Sequence, residues 1–183
     1  MEKVRRSTPY EEAAEVYRPK RARILFIAEA PPTAVERYFY YPHVAKQDSL
    51  WVELTKALYP NDFGETKEER VRKAQWLRRF QGCGYQLIDA VKQPISGTDK
   101  QRVKLISSHC TELVSEVVAV RPDQIVLIKL SVYEGLTEAF RAAGLPVVND
   151  GPLPFPGSGQ QTKFHELFRS LVKHGRLALS PNC

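Results

Sequence analysis

Hydrophobic residues alternate along the chain between short continuous runs and regularly spaced stripes, the pattern of strands separated by helices. Three apolar runs predict strands buried on both faces, at residues 23–28, 85–91 and 124–130. A fourth, shorter strand is predicted at residues 145–150. Apolar side chains three or four residues apart predict the intervening helices, at residues 49–59, 67–80, 100–120, 132–143 and 164–173.

Strands that are joined by helices form parallel sheets with helices on both faces. The sequence therefore predicts an α/β fold, a three-layer αβα sandwich around a short, mainly parallel four-stranded sheet. We expect one domain over residues 21–176, preceded by an N-terminal extension, residues 1–20, and followed by a C-terminal tail, residues 177–183. A short helix is predicted within the extension, at Glu11–Tyr17.

Composition narrows the class of protein. The 183 residues suit one globular domain, of which 43% are hydrophobic and 26% are charged. No apolar stretch approaches the roughly 18–20 residues of a membrane span, and the N-terminus lacks the apolar region of a secretory signal. Three cysteines without C-x-x-C spacing predict neither a disulfide framework nor a metal cluster, so a cytoplasmic protein with unpaired thiols is expected.

Charge adds a candidate partner. The formal net charge is +6, and this excess permits binding to nucleic acid without establishing it. Residues 67–80 hold six basic side chains against two acidic ones. Such a run is either the solvated face of a helix or part of a nucleic-acid surface.

Acidic side chains follow or interrupt two of the predicted strands. Ligands of parallel α/β sheets bind beyond the carboxyl ends of the strands, so these positions are candidate sites. Glu29 comes directly after the first strand and lies either at a solvated rim or in a cleft. Asp89 interrupts the second strand, where it either accepts hydrogen bonds from a ligand or caps a turn.

Two loops carry further candidate chemistry. Four consecutive aromatic residues, Tyr38 to Tyr41, either pack in the core or leave a face on which an extruded base stacks. The loop at residues 149–161 is stiffened by prolines, and its glycines allow close backbone approach. It leads into a helix N-terminus, where it is either a rigid surface loop or a phosphate-binding segment.

These stretches, in this order, resemble the uracil-DNA glycosylase superfamily. Residues 28–32, AEAPP, stand where bacterial branches carry G-E-A-P-G, and FYYPHVAKQDSLW, residues 39–51, is similar to the aromatic and proline segment that follows. In LIDAVKQP, Asp89 stands where those proteins carry an asparagine. In NDGP, Asn149 stands where they carry a histidine. The resemblance spans residues 23–172.

The resemblance implies a DNA-base glycosylase that hydrolyses the N-glycosidic bond of a damaged or deaminated base flipped into a pocket. It implies DNA as the partner, a monomer, and neither a metal nor an organic cofactor. Glu29 would act beside the sugar and Asn149 beside the departing base. The residues implied to bind the base are Ala30, Tyr40, Tyr41 and Asp89. Those implied to contact DNA and its phosphates are Phe155, Gly157, Ser158, Gly159 and Gln160.

Two other functions stay open. The replacements at Asp89 and Asn149 favour a non-catalytic nucleic-acid- or nucleotide-binding domain of the same fold. The glycine-rich loop also suits an enzyme that acts on a free nucleotide or nucleoside. The chain lacks G-x-x-x-x-G-K-[ST] and G-x-G-x-x-G, which argues against a P-loop NTPase and a standard dinucleotide binder.

Overall fold

The computed structural model describes residues 7–43, 48–64, 66–180 and 183. Within these ranges, eight α-helices and three β-strands follow each other along the chain. They are α1 (Pro9–Val16), β1 (Ile24–Ala28), α2 (Ser49–Leu58), α3 (Lys67–Val71), α4 (Lys73–Gly82), β2 (Tyr85–Asp89), α5 (Asp99–Ser108), α6 (Cys110–Val120), β3 (Gln124–Leu127), α7 (Leu130–Ala142) and α8 (Gln161–Lys173).

The three strands form one parallel sheet in the order β2–β1–β3. Ala28 pairs with Asp89 on one side of β1, and Ile27 pairs with Leu127 on the other. Because the strands are parallel and their ends are aligned, the carboxyl ends of all three lie at the same edge of the sheet. Glu29, which follows β1, therefore emerges beside Asp89.

Side chains of β1 alternate between two apolar clusters, one on each face of the sheet. Phe26 belongs to the first cluster, which includes core residues of α2, α4 and α8, whereas Leu25 and Ile27 belong to the second, with those of α5, α6 and α7. All five residues of β1 are buried. A strand covered on both faces needs this continuous apolar run. The predicted α/β class with a parallel sheet is confirmed.

The predicted fourth strand is wrong, since the described residues form a sheet of three strands. Val147 makes only an isolated parallel bridge to Ile125. Further along the edge of β3, the side chain of Asn149 pairs with the backbone of Leu127. Asn149 Nδ2 donates to the carbonyl of Leu127 at 3.1 Å, and Asn149 Oδ1 accepts from the N–H of Leu127 at 3.0 Å. An amide side chain thus replaces the peptide group that a longer strand would supply.

Two long helical patterns are each split by one residue. Arg72 separates α3 from α4 at φ −85° and ψ 17°, and His109 separates α5 from α6 at φ −97° and ψ 3°. Both values lie in the bridge region, where the helical hydrogen-bond pattern stops. The last helix begins at Gln161, before its predicted start.

The described parts of the N-terminal extension and of the C-terminal tail pack on the domain. The predicted N-terminal helix is present as α1, and the Tyr10 hydroxyl donates to the carbonyl of Pro32 at 2.7 Å. At the other end Leu177 is buried, and the backbone of Ala178 exchanges two hydrogen bonds with the side chain of Gln124. The described parts of the extension and the tail therefore contact the core.

The expectation that all three cysteines are unpaired is wrong. Cys83, between α4 and β2, forms a disulfide with Cys183, and Cys110 is free. The bond ties the end of the chain to the start of β2. Disulfides are commoner in oxidising compartments, so the cytoplasmic location stays a prediction.

Candidate functional site

A cleft of about 300 Å³ opens at the carboxyl ends of β1 and β2. It contains four of the side chains expected from the sequence to form a site, namely Glu29, Ala30, Asp89 and Phe155. Its lining has three basic and three acidic side chains, which are Arg37, Arg102, Lys129, Glu29, Asp48 and Asp89. The remaining walls are mainly apolar, as in most small-molecule sites.

Glu29 is bound by three donors from two different helical segments. Ser131 Oγ donates to Oε1 at 2.6 Å, while Arg102 Nη1 and Lys129 Nζ donate to Oε2 at 2.6 Å and 2.5 Å. Ser131 lies in the first turn of α7, whose positive dipole end also favours an anion. Both carboxylate oxygens are therefore occupied.

Burial is the largest influence on the pKa of Glu29 and raises it. Hydrogen bonds from Lys129 and Ser131, with the charges of Lys129 and Arg102, outweigh burial and hold the pKa below its usual value. Glu29 is 9% exposed, so these interactions are little screened by solvent. The carboxylate consequently stays ionised at neutral pH.

Lys129 has an unusual backbone conformation for a residue with a side chain. Its φ is +89° and its ψ is 144°, and its N–H donates to the carbonyl of Leu153 at 2.7 Å. Such conformations cost about 1–3 kcal/mol and cluster at functional sites. Here the turn from β3 into α7 brings Lys129 Nζ into the cleft, in contact with Glu29.

Asp89 lies across the cleft in a different environment. It is 7% exposed and makes no ion pair within the described residues. Burial raises its pKa to about 7; the charge of Lys92 and the hydroxyl of Tyr38 lower it, and Asp48 raises it. Asp89 is thus partly protonated near neutral pH.

Asp48 and Lys73 form a buried pair at the wall of the cleft. Lys73 Nζ contacts Asp48 Oδ2 at 3.3 Å, donates to the carbonyl of Tyr38 at 3.0 Å, and lies over the ring of Trp51. Asp48 also caps α2, because Oδ1 accepts from the Trp51 N–H at 3.2 Å. This pair ties the segment that carries Tyr38 to α4 and to the start of α2.

The structure does not bring Tyr40 and Tyr41 into the cleft. Tyr40 is 1% exposed, and its hydroxyl accepts from the N–H of Leu87 at 2.7 Å and donates to the carbonyl of Leu87 at 3.1 Å. It closes the open edge of β2 as Asn149 closes that of β3. Tyr41 is half-buried against His43. Tyr38 and Phe39 line the cleft instead.

Asn149 lies on the far side of β3 and does not line the cleft. It is 2% exposed, and besides its two bonds to Leu127 its Nδ2 donates to the carbonyl of Gly151 at 3.0 Å. Its amide is therefore fully used in holding the backbone. In this structure no described contact connects Asn149 to Glu29 or Asp89.

The loop before α8 contributes a single side chain to the cleft, that of Phe155, which is 39% exposed. Its ring packs on Gly157, where a Cβ would lie 2.9 Å from Phe155 Cε1. Ser158 and Gly159 have φ of 50° and 83°, and Gln160 caps α8 without a side-chain hydrogen bond. Gly157 to Gln160 form a turn outside the cleft.

Four residues of the site were not predicted from the sequence, namely Tyr38, Arg102, Lys129 and Ser131. Arg102 and Lys129 are separated from Glu29 by 73 and 100 residues, so spacing could not connect them. The only available signal was position, because Lys129 lies at the end of the third predicted strand, residues 124–130, and Ser131 directly follows it. The same strand-end rule that selected Glu29 and Asp89 applies to them.

No protein-family model matches the chain, and no curated protein matches it. Within the described ranges, none of the helices has both the length and the apolar character needed to cross a bilayer. Those same ranges hold no cluster of three or more His, Cys, Asp or Glu side chains placed to bind a metal ion. Function is therefore inferred from the geometry of the cleft.

Proposed function

We propose that the protein is a glycosylase of the uracil-DNA glycosylase type, with the corresponding three-layer fold, that binds an extruded nucleobase in the strand-end cleft. The observation that carries this proposal is the convergence of Glu29 and Asp89, from adjacent parallel strands, on one cleft. The reaction would be hydrolysis of the N-glycosidic bond. DNA is the proposed partner of a monomeric protein that needs no cofactor.

The size and lining of the cleft support a single base as ligand. Ligand sites range over about 300–1,000 Å³, so a cleft of about 300 Å³ suits a small, flat molecule. Tyr38, Phe39 and Phe155 supply aromatic surface, and Phe155 at the rim is the proposed wedge in the vacated base stack. Extrusion of a base costs a few kcal/mol, least for a damaged one.

Glu29 is suited to electrostatic stabilisation. Cleavage of an N-glycosidic bond develops positive charge on the sugar, and a fixed carboxylate stabilises that charge. Because both oxygens of Glu29 already accept hydrogen bonds, removal of a proton from water is a less suitable role. The charge of Glu29 is instead held in place before the reaction begins.

Lys129 and Arg102 are suited to stabilise the departing base. The base leaves with negative charge, and both cations line the cleft beside Glu29. This assignment replaces the role expected of Asn149, whose amide is bound to Leu127. Asp89 would contact the edge of the base.

A non-catalytic nucleobase-binding domain is the second candidate. It is favoured by the burial of Asn149 and Tyr40, two residues expected to contact the base, and by the hydrogen bonds that both oxygens of the Glu29 carboxylate already accept. Such a protein would bind DNA in a salt-dependent way without releasing a base.

An abasic-site assay separates the two candidates. Oligonucleotides that carry uracil, hypoxanthine, xanthine or an oxidised base are incubated with the protein, in single and double strands, and abasic sites are counted. We expect the protein to release at least one of these bases. The rate of release should fall at least 100-fold in Glu29→Gln and stay unchanged in Glu138→Gln, which replaces an exposed glutamate on α7. Base-dependent binding without release by the parent protein would favour the second candidate.

A further inference from the structure

We propose that Asp89 binds the base as a neutral carboxylic acid and thereby selects bases with an N–H donor next to a carbonyl acceptor. This inference rests on the proposed nucleobase cleft. It adds the chemical class of the edge that the cleft accepts. It also predicts a dependence of recognition on pH.

The position of Asp89 is the first argument. Its side chain lines the strand-end cleft and also a second cavity, of about 640 Å³, that lies beneath α1. Tyr38 and Leu87 line both cavities too, so these three residues form the wall between them. A ligand in the cleft would reach the Asp89 carboxyl, which is only 7% exposed.

The charges around Asp89 are the second argument. The Lys92 ammonium, just beyond β2, is paired with Glu116 of α6 at 2.9 Å, and that carboxylate partly neutralises it. Asp48, at the start of α2, adds negative charge beside Asp89. Burial is the strongest influence and raises the pKa of Asp89 to about 7, against the opposing effect of Lys92.

Three uncharged phenols also lie near Asp89, and the second cavity is further lined by the charged side chains of Glu11, Glu12, Glu15 and Arg18. The charge of Asp89 raises the pKa of Tyr10 on α1 and of Tyr38 and Tyr40 in the segment after β1; burial is the larger cause in each. These hydroxyls consequently stay protonated across the pH range in which Asp89 titrates. Of the three cations that line the cleft, Lys129 and Arg102 are bound to Glu29, and the third, Arg37, is exposed.

The donors and acceptors of a neutral acid decide which edge fits. An ionised carboxylate offers acceptors alone, whereas a protonated one offers an O–H donor and a carbonyl acceptor. The O–H then donates to the carbonyl of the base, and the N–H of the base donates to the other oxygen. Ionisation removes the donor and leaves the carbonyl of the base facing a buried charge.

Binding to a non-hydrolysable probe tests the inference. The probe is a labelled single-stranded oligonucleotide with one 2′-fluoro-2′-deoxyuridine, and its partner carries the N3-methyl derivative, which lacks the N–H donor. Fluorescence anisotropy gives Kd for both between pH 5.5 and 8.5. For the parent protein we expect at least tenfold preference for the unmethylated probe at pH 6. This preference should fall about tenfold per pH unit above pH 7 until it is lost.

Two variants identify the titrating group. Asp89→Asn supplies a donor and an acceptor at every pH, so its preference should be retained and constant from pH 5.5 to 8.5. Asp123→Asn removes an exposed aspartate far along the chain and should keep the parent profile. A neutral carboxyl band in the infrared spectrum at pH 6, absent from Asp89→Asn, gives a readout that requires no ligand.

The outcomes separate the inference from the proposed function. Preference for the unmethylated probe with no change between pH 5.5 and 8.5, or the same pH profile in Asp89→Asn, overturns the inference and leaves the proposed function standing. Lack of the infrared band at pH 6 also overturns it. Failure to bind either probe at any pH overturns both.

Discussion

Glu29 and Asp89 end neighbouring strands of one sheet, yet their surroundings drive their ionisation in opposite directions. Glu29 has two cations and a hydroxyl within 2.6 Å, and they hold its pKa below the usual value against burial. Asp89 is about as little exposed but lies deeper in the protein and has no ion-pair partner in the described ranges, and burial raises its pKa to about 7. Of these two carboxyl groups, Glu29 is therefore permanently charged at neutral pH, whereas Asp89 titrates there.

The difference shows that burial alone does not determine the state of an acid. The exposed fractions of the two residues are 9% and 7%, so desolvation acts on both. The deeper burial of Asp89 and the donors at Glu29 decide the outcome together, because Lys129 and Ser131 reach Glu29 from the turn into α7. Carboxyl groups whose pKa values are pushed apart in one cleft are a common way to divide chemical roles.

The largest effect is expected when Glu29 loses its charge. Glu29→Gln leaves Lys129 and Arg102 without an anion, and removal of one partner from a buried ion pair costs about 3–5 kcal/mol. Lys129 and Arg102 are 27% and 22% exposed, so solvent screens part of this cost. We expect the free energy of unfolding to fall by about 2–3 kcal/mol, measured by urea unfolding at pH 7.

The pH dependence of that loss has a defined sign. The folded-state pKa of Glu29 lies below its ordinary value, so its contribution is present above the unfolded pKa and disappears as the pH falls through the folded one. The free energies of unfolding of the parent and of Glu29→Gln should converge in acid. An equal gap at pH 3 and pH 7 would show that lost packing, and not charge, causes the effect.

Asp89→Asn should stabilise the protein at high pH, whereas Glu29→Gln should destabilise it. The folded-state pKa of Asp89 lies above its unfolded value. The contribution of the neutral carboxyl group to stability is therefore fully present below the unfolded pKa and is lost as the pH rises through about 7. At pH 8.5 the variant should be more stable than the parent by about 1–3 kcal/mol. Urea unfolding at pH 4 should show almost no difference, and a variant that is less stable at pH 8.5 contradicts the assignment.

The separation along the chain between interacting residues decides which parts of this cleft could be predicted from the sequence. β1 to β3 were predictable because continuous apolar runs report burial on both faces. Their carboxyl ends then located Glu29 and Asp89 without any contact being known. The opposite pKa shifts were not predictable, because Lys129 and Arg102 reach Glu29 only through the fold.

The positions of Tyr40 and Asn149 outside the cleft and the missing fourth strand share one physical cause. Tyr40 and Asn149 each bond to both backbone groups of one edge residue, Leu87 and Leu127 respectively. A polar side chain that closes a sheet edge has no local sequence pattern, since its partner lies 47 or 22 residues away. Residues that look like ligand contacts were therefore used to close the sheet, and the fourth strand stopped at Val147.

A smaller effect is expected from Ser131→Ala. The hydroxyl of Ser131 donates to Glu29 Oε1 at 2.6 Å, and a hydrogen bond to a charged group contributes about 1.5–3 kcal/mol. Because the two cations remain, we expect the low end, about 1.5 kcal/mol at pH 7, from urea unfolding. Ser115→Ala on α6, an exposed serine, serves as the control. Equal losses of unfolding free energy in both variants would show that the Ser131 hydroxyl does not stabilise the Glu29 carboxylate.

The smallest effect is expected from Tyr38→Phe, which changes the titrating acid alone. The hydroxyl of Tyr38 lowers the pKa of Asp89, so its removal should raise that pKa further, by up to about one unit for an interaction of about 1 kcal/mol. Infrared titration of the Asp89 carboxyl measures this midpoint directly. Tyr133→Phe is the matched control, since that hydroxyl donates to the carbonyl of Asp150 outside the cleft. A midpoint that moves downward in Tyr38→Phe would mean that the hydroxyl stabilises the neutral acid, and the contrast between Asp89 and Glu29 would then depend on more than burial and missing cations.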